Sequence, residues 1–546
     1  MIRDYSNSRC GCCSSPVHYK LFIAVPVSFA ILGVLGTPGI DFVHRNSPTD
    51  QKYLIETMGG GVALLDYNND GLLDVFLVNG GKLDAHPADF SRENPAFWNR
   101  LYRQNRDGSF TDVTREAGLS NAGNSYGMGV AVGDYNNDGF PDLYVTNYGR
   151  NILYRNNRDG SFTDVTAEAG VAAGGWSVSA GFFDYDNDGK LDLFVSRYLR
   201  YDLDHNLLCG TPFHTYCRPD KYEGTTNLLY HNDGNGHFRD VSSSSGIASM
   251  KGKGMGVAFN DYDGDDFPDI FLSNDLMEQF LFHNRRDGTF EECALKAGVA
   301  LSDDGKPYSG MGAVFADYDN DGWPDILVTN LALEKWALYR NEGGKFFSYA
   351  SLATGLAALS ARSSGWGVGL QDFDNDGWKD IFAAQGHVLD NVAKINSSLM
   401  YRERPGLYRN VSGKFETAEL REMPKVAGRG AAFGDLDNDG SIDAVVSVLG
   451  GRPIVLRGKP NGNHWITLQL QGTHSSRDGQ GTKVRIGSQS VYATTSASYL
   501  SASDGRVHFG LGSRTRVQIK IQWPSGKRQL LEDVSVDRII VVKEPE

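Results

Sequence analysis

The chain reads as all-β: a seven-bladed β-propeller with acidic hairpin loops, followed by a small β-sandwich-like domain. Three observations predict this. A nine-residue acidic loop recurs seven times. Each copy lies between two short apolar runs, and all but the last are followed by a tyrosine-bearing or related strand and a Phe-led strand. From Asn463 the repeat stops, and short alternating strands with Gly and Ser turns take over. Repeats of this length imply a solenoid, propeller or array, and four short strands make one propeller blade.

The loop comes first. In the second copy, DYNNDGFPD at 134–142, side-chain oxygens fall at positions 1, 3, 5 and 9, with Gly at 6. Like charges so close repel unless a cation sits among them. Loops that bind calcium place oxygens at 1, 3 and 5 and a glycine at the turn. The candidate ligands are Asp66, Asn68, Asp70 and Asp74; Asp134, Asn136, Asp138 and Asp142; Asp184, Asp186, Asp188 and Asp192; and Asp261, Asp263, Asp265 and Asp269. The series continues with Asp317, Asp319, Asp321 and Asp325; Asp372, Asp374, Asp376 and Asp380; and Asp435, Asp437, Asp439 and Asp443. One copy would read equally well as an Asx-rich turn. Seven copies with one spacing point to calcium, up to seven ions. Position 12 is apolar throughout, so these are not EF-hands. The fourth loop departs from the pattern with Asp266 in place of glycine.

The flanking sequence comes next. Runs such as GVAVGD before the loop and DLYVTN after it read as two buried strands joined in a hairpin. The third strand ends in Asn, as in LYRNN (153–157), and FTDVT (162–166) exemplifies the fourth. Seven loops but only six Phe-led fourth strands are present. The orphan IDFVH (40–44) is expected to complete the last blade and close the ring, which protects sheet edges.

Together these elements resemble FG-GAP repeats of the VCBS type, the blades also seen in integrin α-subunit propellers. The resemblance covers 40–458 and implies seven blades with calcium in the hairpins. Residues 463–546 resemble the ASPIC/UnbV domain through NHWITLQLQGT, SYLSASDGRVHFGLG and IQWPSGKRQ. This domain pairing resembles the cartilage acidic protein-like family, and it implies no agreed activity. His464, His474, Asp478, Asp504 and His508 are the tail's chemically capable residues, but their spacing fits no metal motif, so structural or solvated roles are expected.

Composition bounds the function. The formal charge is −14, and seven divalent ions would cancel it. No sustained basic face exists, which argues against nucleic acid. Residues 1–36 read as a signal peptide or an N-terminal membrane anchor. Arg3, Arg9 and Lys20 precede the apolar 21–35, and Val34 and Gly36 offer small residues before a cut. The alternative is an uncleaved transmembrane helix, with Cys10, Cys12 and Cys13 in its cytoplasmic tail. Either way the body is expected to be exported: secreted, periplasmic or at the cell surface. Cys209 and Cys217 can pair in such a compartment, and Cys293 reads as a small core hydrophobe.

Long insertions at 80–100, 197–226 and 386–405 all fall on the ring face opposite the loops. They carry Trp98, Tyr198, Tyr201, His205, His214, Tyr216 and His387, near the strand-entry residues Tyr126, Trp176, Tyr308 and Trp366. Two readings stay open: aromatic anchors for a partner, or packing of the insertions onto the blades. The functional expectation is a non-catalytic calcium-binding scaffold for adhesion to an extracellular protein or glycan. An assembly scaffold for an exported complex reads the same. The alternative is a carbohydrate-active hydrolase or lyase on the insertion face, with Asp202, Asp204, His205 and His214 as the nearest candidates.

Overall fold

Every acidic loop ends on the Asp that starts the next strand, and this Asp pairs with the last residue of the strand before. Leu65 faces Asp74, and Gly133 faces Asp142. The loop is therefore a tight hairpin. The computed structural model describes residues 32–35, 39–83, 90, 93–120, 125–418, 420 and 423–546.

Among these residues seven sheets carry the repeat: six run through four consecutive strands, and the last joins three consecutive strands to one from far earlier in the chain. The second blade shows the plan: Tyr126–Gly133, Asp142–Tyr148, Ile152–Asn156 and Phe162–Asp164, from the ring centre outward. Neighbouring inner strands pack in cyclic order, and the last, Gly428–Gly434, lies against the first, Val62–Leu65. Apolar side chains fill the wedges between sheets. One wedge joins Val130, Leu143 and Tyr154 of the second blade to Ala63, Phe76 and Leu101 of the first. Strands buried on both faces explain the near-continuous apolar runs.

The ring closes, but with a different segment from the expected one. The outer strand of the last blade is Leu32–Leu35, antiparallel to Ile454–Gly458. Residues 40–44 form no strand. Ile40 and Phe42 instead plug the wedge between the first and last blades, beside Phe110, Leu436 and Val455. Their alternation mimics a strand because alternate residues point inward in both cases. Among the described residues the propeller thus begins at Leu32, inside the segment expected to be leader or anchor. Residues 1–31 and 36–38, which hold most of that segment, lie outside the described residues. Among the described residues no helix is long and apolar enough to cross a membrane.

The insertions do lie between second and third strands, but their aromatics are not presented to solvent. Tyr126, Trp176, Tyr198, Tyr201, Tyr216 and Trp366 are all buried in one cluster with Tyr53–Met58. Tyr308 is buried too, donating to or accepting from the Tyr339 hydroxyl. Trp98 lies under the guanidinium groups of Arg100 and Arg115. His387 is buried, and that environment pushes its pKa down to about 4. The packing reading is the correct one, because these rings close the far end of the channel. His205 and His214 remain exposed. A disulfide joins Cys209 to Cys217 with Cα atoms 5.2 Å apart. Cys293 is only half-buried beside the Tyr262 hydroxyl.

The tail packs a three-stranded sheet on a four-stranded one. His464–Gln471 is central in the first, flanked by Val507–Gly512 and Arg538–Lys543. The second runs in the order Gln489–Tyr492, Lys483–Ile486, Arg516–Gln522 and Arg528–Ser535. Alternate residues such as Val517, Ile519 and Ile521 point into the shared core with Leu468, Phe509 and Trp523.

Candidate metal centres and the domain that covers them

Each loop is built the same way. The position-1 Asp accepts backbone N–H groups from positions 5 and 6; for Asp134 these are Asp138 at 2.9 Å and Gly139 at 2.7 Å. The position-9 Asp is fully buried and spans two strands. Asp74 accepts from Tyr67 N–H at 3.2 Å and from Gln104 N–H, at the end of the third strand, at 2.8 Å. The other blades repeat the third-strand bond, from Asn156, Asn232, Asn284, Asn341, Asn410 and Gly458.

This framework drives carboxylates together away from water. Asp184, Asp186 and Asp188 bring one oxygen each to within 4.8 Å of one another, as do Asp261, Asp263 and Asp265, and Asp317, Asp319 and Asp325. Burial raises the pKa of Asp74 to about 8 and those of Asp134, Asp192, Asp269, Asp435 and Asp443 to about 7. Asp142, Asp184, Asp325, Asp372 and Asp380 are raised well above the usual range, again by burial first and neighbouring carboxylates second. Asp142 Oδ2, Asp186 Oδ1 and Asp263 Oδ1 are enclosed without a hydrogen-bond partner. Clustered hard oxygens with open lone pairs fit a hard divalent cation. The loop carboxylates and the position-3 Asn68 and Asn136 would hold it, and the ion would neutralise them.

A cationic side chain from the third strand also reaches most loops. Arg340 touches Asp319 and Asp321 at 2.6 Å, and Arg409 touches Asp374 and Asp376 at 2.8 and 2.9 Å. Arg457 sits 2.7 Å from Asp443. His231 and His283 hold the equivalent place in the third and fourth blades. The R of LYRN is therefore a partner of the loop in the fifth and sixth blades.

Two sets of amides tie blade to blade, and the sequence reading overlooked both. The position-4 Asn has a left-handed backbone, which Asn tolerates better than most residues. Its side chain donates to the position-6 carbonyl of the next loop. Asn69 reaches Gly139, Asn137 Gly189, Asn187 Asp266, Asn320 Gly377, Asn375 Gly440 and Asn438 Gly71, all at 2.8–3.0 Å. The fourth loop has Gly264 here, and Gly322 receives Arg485 of the tail instead. In the opposite direction, Asn156, Asn232, Asn284, Asn341 and Asn410 donate to the position-2 carbonyl of the preceding loop at 2.8 Å. The recurring Asn at each position was the available signal.

The tail lies across this loop face. Arg477 N–H donates to Asn137 Oδ1 at 2.8 Å, His508 Nε2 meets Asn375 Oδ1 at 2.7 Å, and Arg506 donates to Asn438 Oδ1 and the Asp435 carbonyl at 2.7 and 2.9 Å. Lys483 pairs with Asp261. Asp478 accepts from Asp134 N–H at 3.2 Å. Asp478, Asp504 and His508 thus serve docking; Asp504 holds Arg506 at 2.7 Å. His464 pairs with Asp537 at the edge of the tail, and His474 is exposed. A cavity of about 780 Å³ separates the tail sheet from the loops of blades four to six.

Residues 494–504 leave the tail and enter the centre of the ring. Ser498 exchanges backbone bonds with Ala313, Leu500 O accepts from Val130 N–H at 3.0 Å, and Ala502 bonds Val62 and Leu64 at 3.0 Å. Phe433 O accepts from Asp504 N–H at 2.9 Å. Ser498 Oγ bridges Val368 and Ala431. Tyr499 and Leu500 are buried beyond, Tyr499 against Trp366. The ring is shaped for this segment. Gly61, Gly129, Gly256, Gly312, Gly367 and Gly430, with Ser179, occupy one position of the seven inner strands. A Cβ on Gly61 would lie 2.4 Å from Leu500 O, and one on Gly256 would lie 2.7 Å from Ser498 O. These glycines admit a backbone where a side chain would block it.

The enzyme candidates are not assembled into a site. His205 pairs with Asp202 at 2.6 Å, both exposed, and His214 does not join them. The letters GNSYG (123–127) spell a nucleophile-elbow pattern, which needs a strand-to-helix turn. Here Ser125 leads into an inner strand, is buried, and accepts from Arg150 N–H at 3.0 Å.

Residues 66–145, 134–195, 218–272, 261–328 and 317–383 match the FG-GAP-like repeat model, and 472–546 match ASPIC and UnbV. The chain is similar to cartilage acidic protein 1 of Homo sapiens, 29% identical over 307 residues, covering 53% of this chain and 43% of that protein. For the Mus musculus protein the identity is 27% over 307 residues, covering 53% and 44%, and for the Xenopus tropicalis protein 28% over 300, covering 53% and 44%. The match spans less than half the length of these relatives. Among solved structures, an Agrocybe aegerita lectin that recognises non-reducing terminal N-acetylglucosamine aligns with TM-score 0.37 at 16% identity, covering 73% of this chain and 86% of that one. The exotype rhamnogalacturonan lyase YesX aligns with TM-score 0.36 at 12% identity, covering 79% and 76%.

Proposed function

We propose that this chain, which belongs to the FG-GAP-like repeat family and carries an ASPIC and UnbV domain, is an exported calcium-braced scaffold that binds a protein or glycan partner without catalysing a reaction. One observation carries the metal part of this reading. All seven hairpin loops gather buried carboxylates whose pKa values burial raises. Calcium would supply charge neutralisation and crosslink each hairpin to its own blade. The fit to millimolar external calcium supports export, since weak sites fill there.

The scaffold part rests on the channel. Its centre holds residues 494–504, and its far end is closed by the insertion aromatics. A partner would therefore use the outer surfaces. The exposed apolar residues Leu207, Leu208 and Ile395, all on the insertion face, are the first to examine. The test is immobilised calcium-loaded chain against glycan and extracellular-protein arrays, with Leu207→Asp/Leu208→Asp as the comparison. Binding lost in the variant supports the reading. Binding indifferent to the variant moves the site elsewhere, and turnover of an arrayed glycan overturns the non-catalytic assignment.

A further inference from the structure

The tail meets the propeller in two places that are mechanically one. Its sheets rest on the hairpin loops, and its 494–504 segment fills the ring. Most of the loop contacts fall on groups that the loop conformation itself positions: Asn137, Asn375 and Asn438 at the left-handed position 4, and the Asp435 carbonyl at position 1. Lys483 is an exception, pairing with the Asp261 carboxylate of the fourth loop. Each of these asparagines also holds the next loop, so the docking platform is the relay of loops rather than any single one, interrupted at the fourth loop, where the tail's Arg485 takes the Gly322 carbonyl. Inside those same loops lie the clustered carboxylates, which repel one another without a cation.

We infer that the tail is a metal-dependent plug: cation binding in the loops and seating of residues 494–504 in the ring are thermodynamically coupled. This rests on the metal reading above. An ion that orders a loop sets the asparagines and carbonyls the tail requires, and the docked tail in turn holds the loop in its metal-binding shape. Such coupling is reciprocal by necessity. The inner strands lose their central occupant when the ions leave, and a channel lined by backbone and glycine is uncovered. The seated state is specific, because the plug contacts inner strands around the ring and four of its hydroxyls are matched there, although the buried Ser496 and Tyr499 hydroxyls have no hydrogen-bond partner. Ser498 Oγ, Ser501 Oγ, Ser503 Oγ and Thr495 Oγ1 all bond inner-strand backbone.

The experiment uses the full chain, with calcium and with chelator. Bound metal is counted, and hydrogen exchange is followed in 494–504 and in the inner strand Gly254–Asn260 as reference. The expected result is bound metal, exchange in 494–504 at least about tenfold faster on chelation, and a reference strand that stays protected. Bound metal with unchanged exchange in 494–504 overturns the coupling and leaves the metal reading standing. Absence of bound metal overturns both. Loss of protection in both segments together shows global unfolding and overturns a separable plug. Arg506→Ala supplies the reciprocal arm. It touches loop seven through Asn438 Oδ1 and the Asp435 carbonyl, not through the carboxylates. It should weaken apparent calcium affinity by about fivefold or more, and unchanged affinity contradicts the inference.

Discussion

The Asn438 side chain donates to the Gly71 carbonyl at 2.9 Å, and this bond joins the last hairpin loop to the first. It closes the relay that runs through Asn69, Asn137 and Asn187, is interrupted at Gly264 of the fourth loop, where the tail's Arg485 takes the Gly322 carbonyl instead, and resumes at Asn320 and Asn375. Ring closure is therefore enforced twice, by Leu32–Leu35 at the outer edge and by the relay on the loop face. Asn438→Ala removes this bond and the one that Arg506 donates to Asn438 Oδ1, and should cost about 1–3 kcal/mol in urea unfolding at the ordinary worth of a hydrogen bond. An unchanged midpoint would mean that the relay follows closure rather than supporting it.

Stability should fall with rising pH without metal and stay nearly level with metal bound. The buried carboxylates have folded pKa values raised to about 7–8 from an unfolded value near 4. Between those values the folded, metal-free chain binds more protons than the unfolded chain, so its stability falls as pH rises. Metal competes with those protons and gains as they leave. The melting-temperature gap between calcium and chelator should widen from pH 6 to pH 8. A constant gap would separate these carboxylates from the metal.

Gly61→Ala tests the shape of the channel. The new Cβ would meet Leu500 O at 2.4 Å and Gly129 Cα at 2.7 Å, both backbone atoms that cannot swing away. A loss of about 1–3 kcal/mol is expected from overpacking, with faster exchange at Leu500. Gly71→Ala is the contrast for crowding, since nothing lies within 4 Å of its Cβ and only the left-handed backbone resists it. Equal losses without a change at Leu500 would remove the channel from the explanation.

The repeat was legible because period-2 and Asx–Gly signals are local. The hairpins, the LYRN strand and the Phe-led strand all lie where the spacing put them. The closing strand was misplaced because Ile40 and Phe42 alternate inward just as strand residues do, while Leu32–Leu35 reads as the end of an apolar leader. The insertion aromatics left both readings open because burial under a loop is a tertiary fact. Trp176 and Tyr198 look alike in sequence whether covered or exposed. The plug was hidden for a related reason: SYLSASDG is small, polar and turn-like, and only the ring of glycines opposite it shows why. Those glycines recur as G-x-G in six inner strands, a signal that was present and unread.

Removing one position-9 carboxylate should remove one ion. Asp325→Asn keeps an acceptor for Asn341 N–H, bonded at 2.8 Å, while deleting a charge from the Asp317–Asp319–Asp325 cluster. The metal count should fall by one with the fold intact by circular dichroism. A count that does not change would place the ion elsewhere.

The most direct measurement is bound metal per chain, taken alongside the melting temperature with calcium and with chelator. Close to seven calcium ions and a melting temperature that drops sharply on chelation are the results expected of a metal-braced propeller. Little bound metal and an unchanged melt would contradict it, and the acidic loops would then be turns held by their own hydrogen bonds.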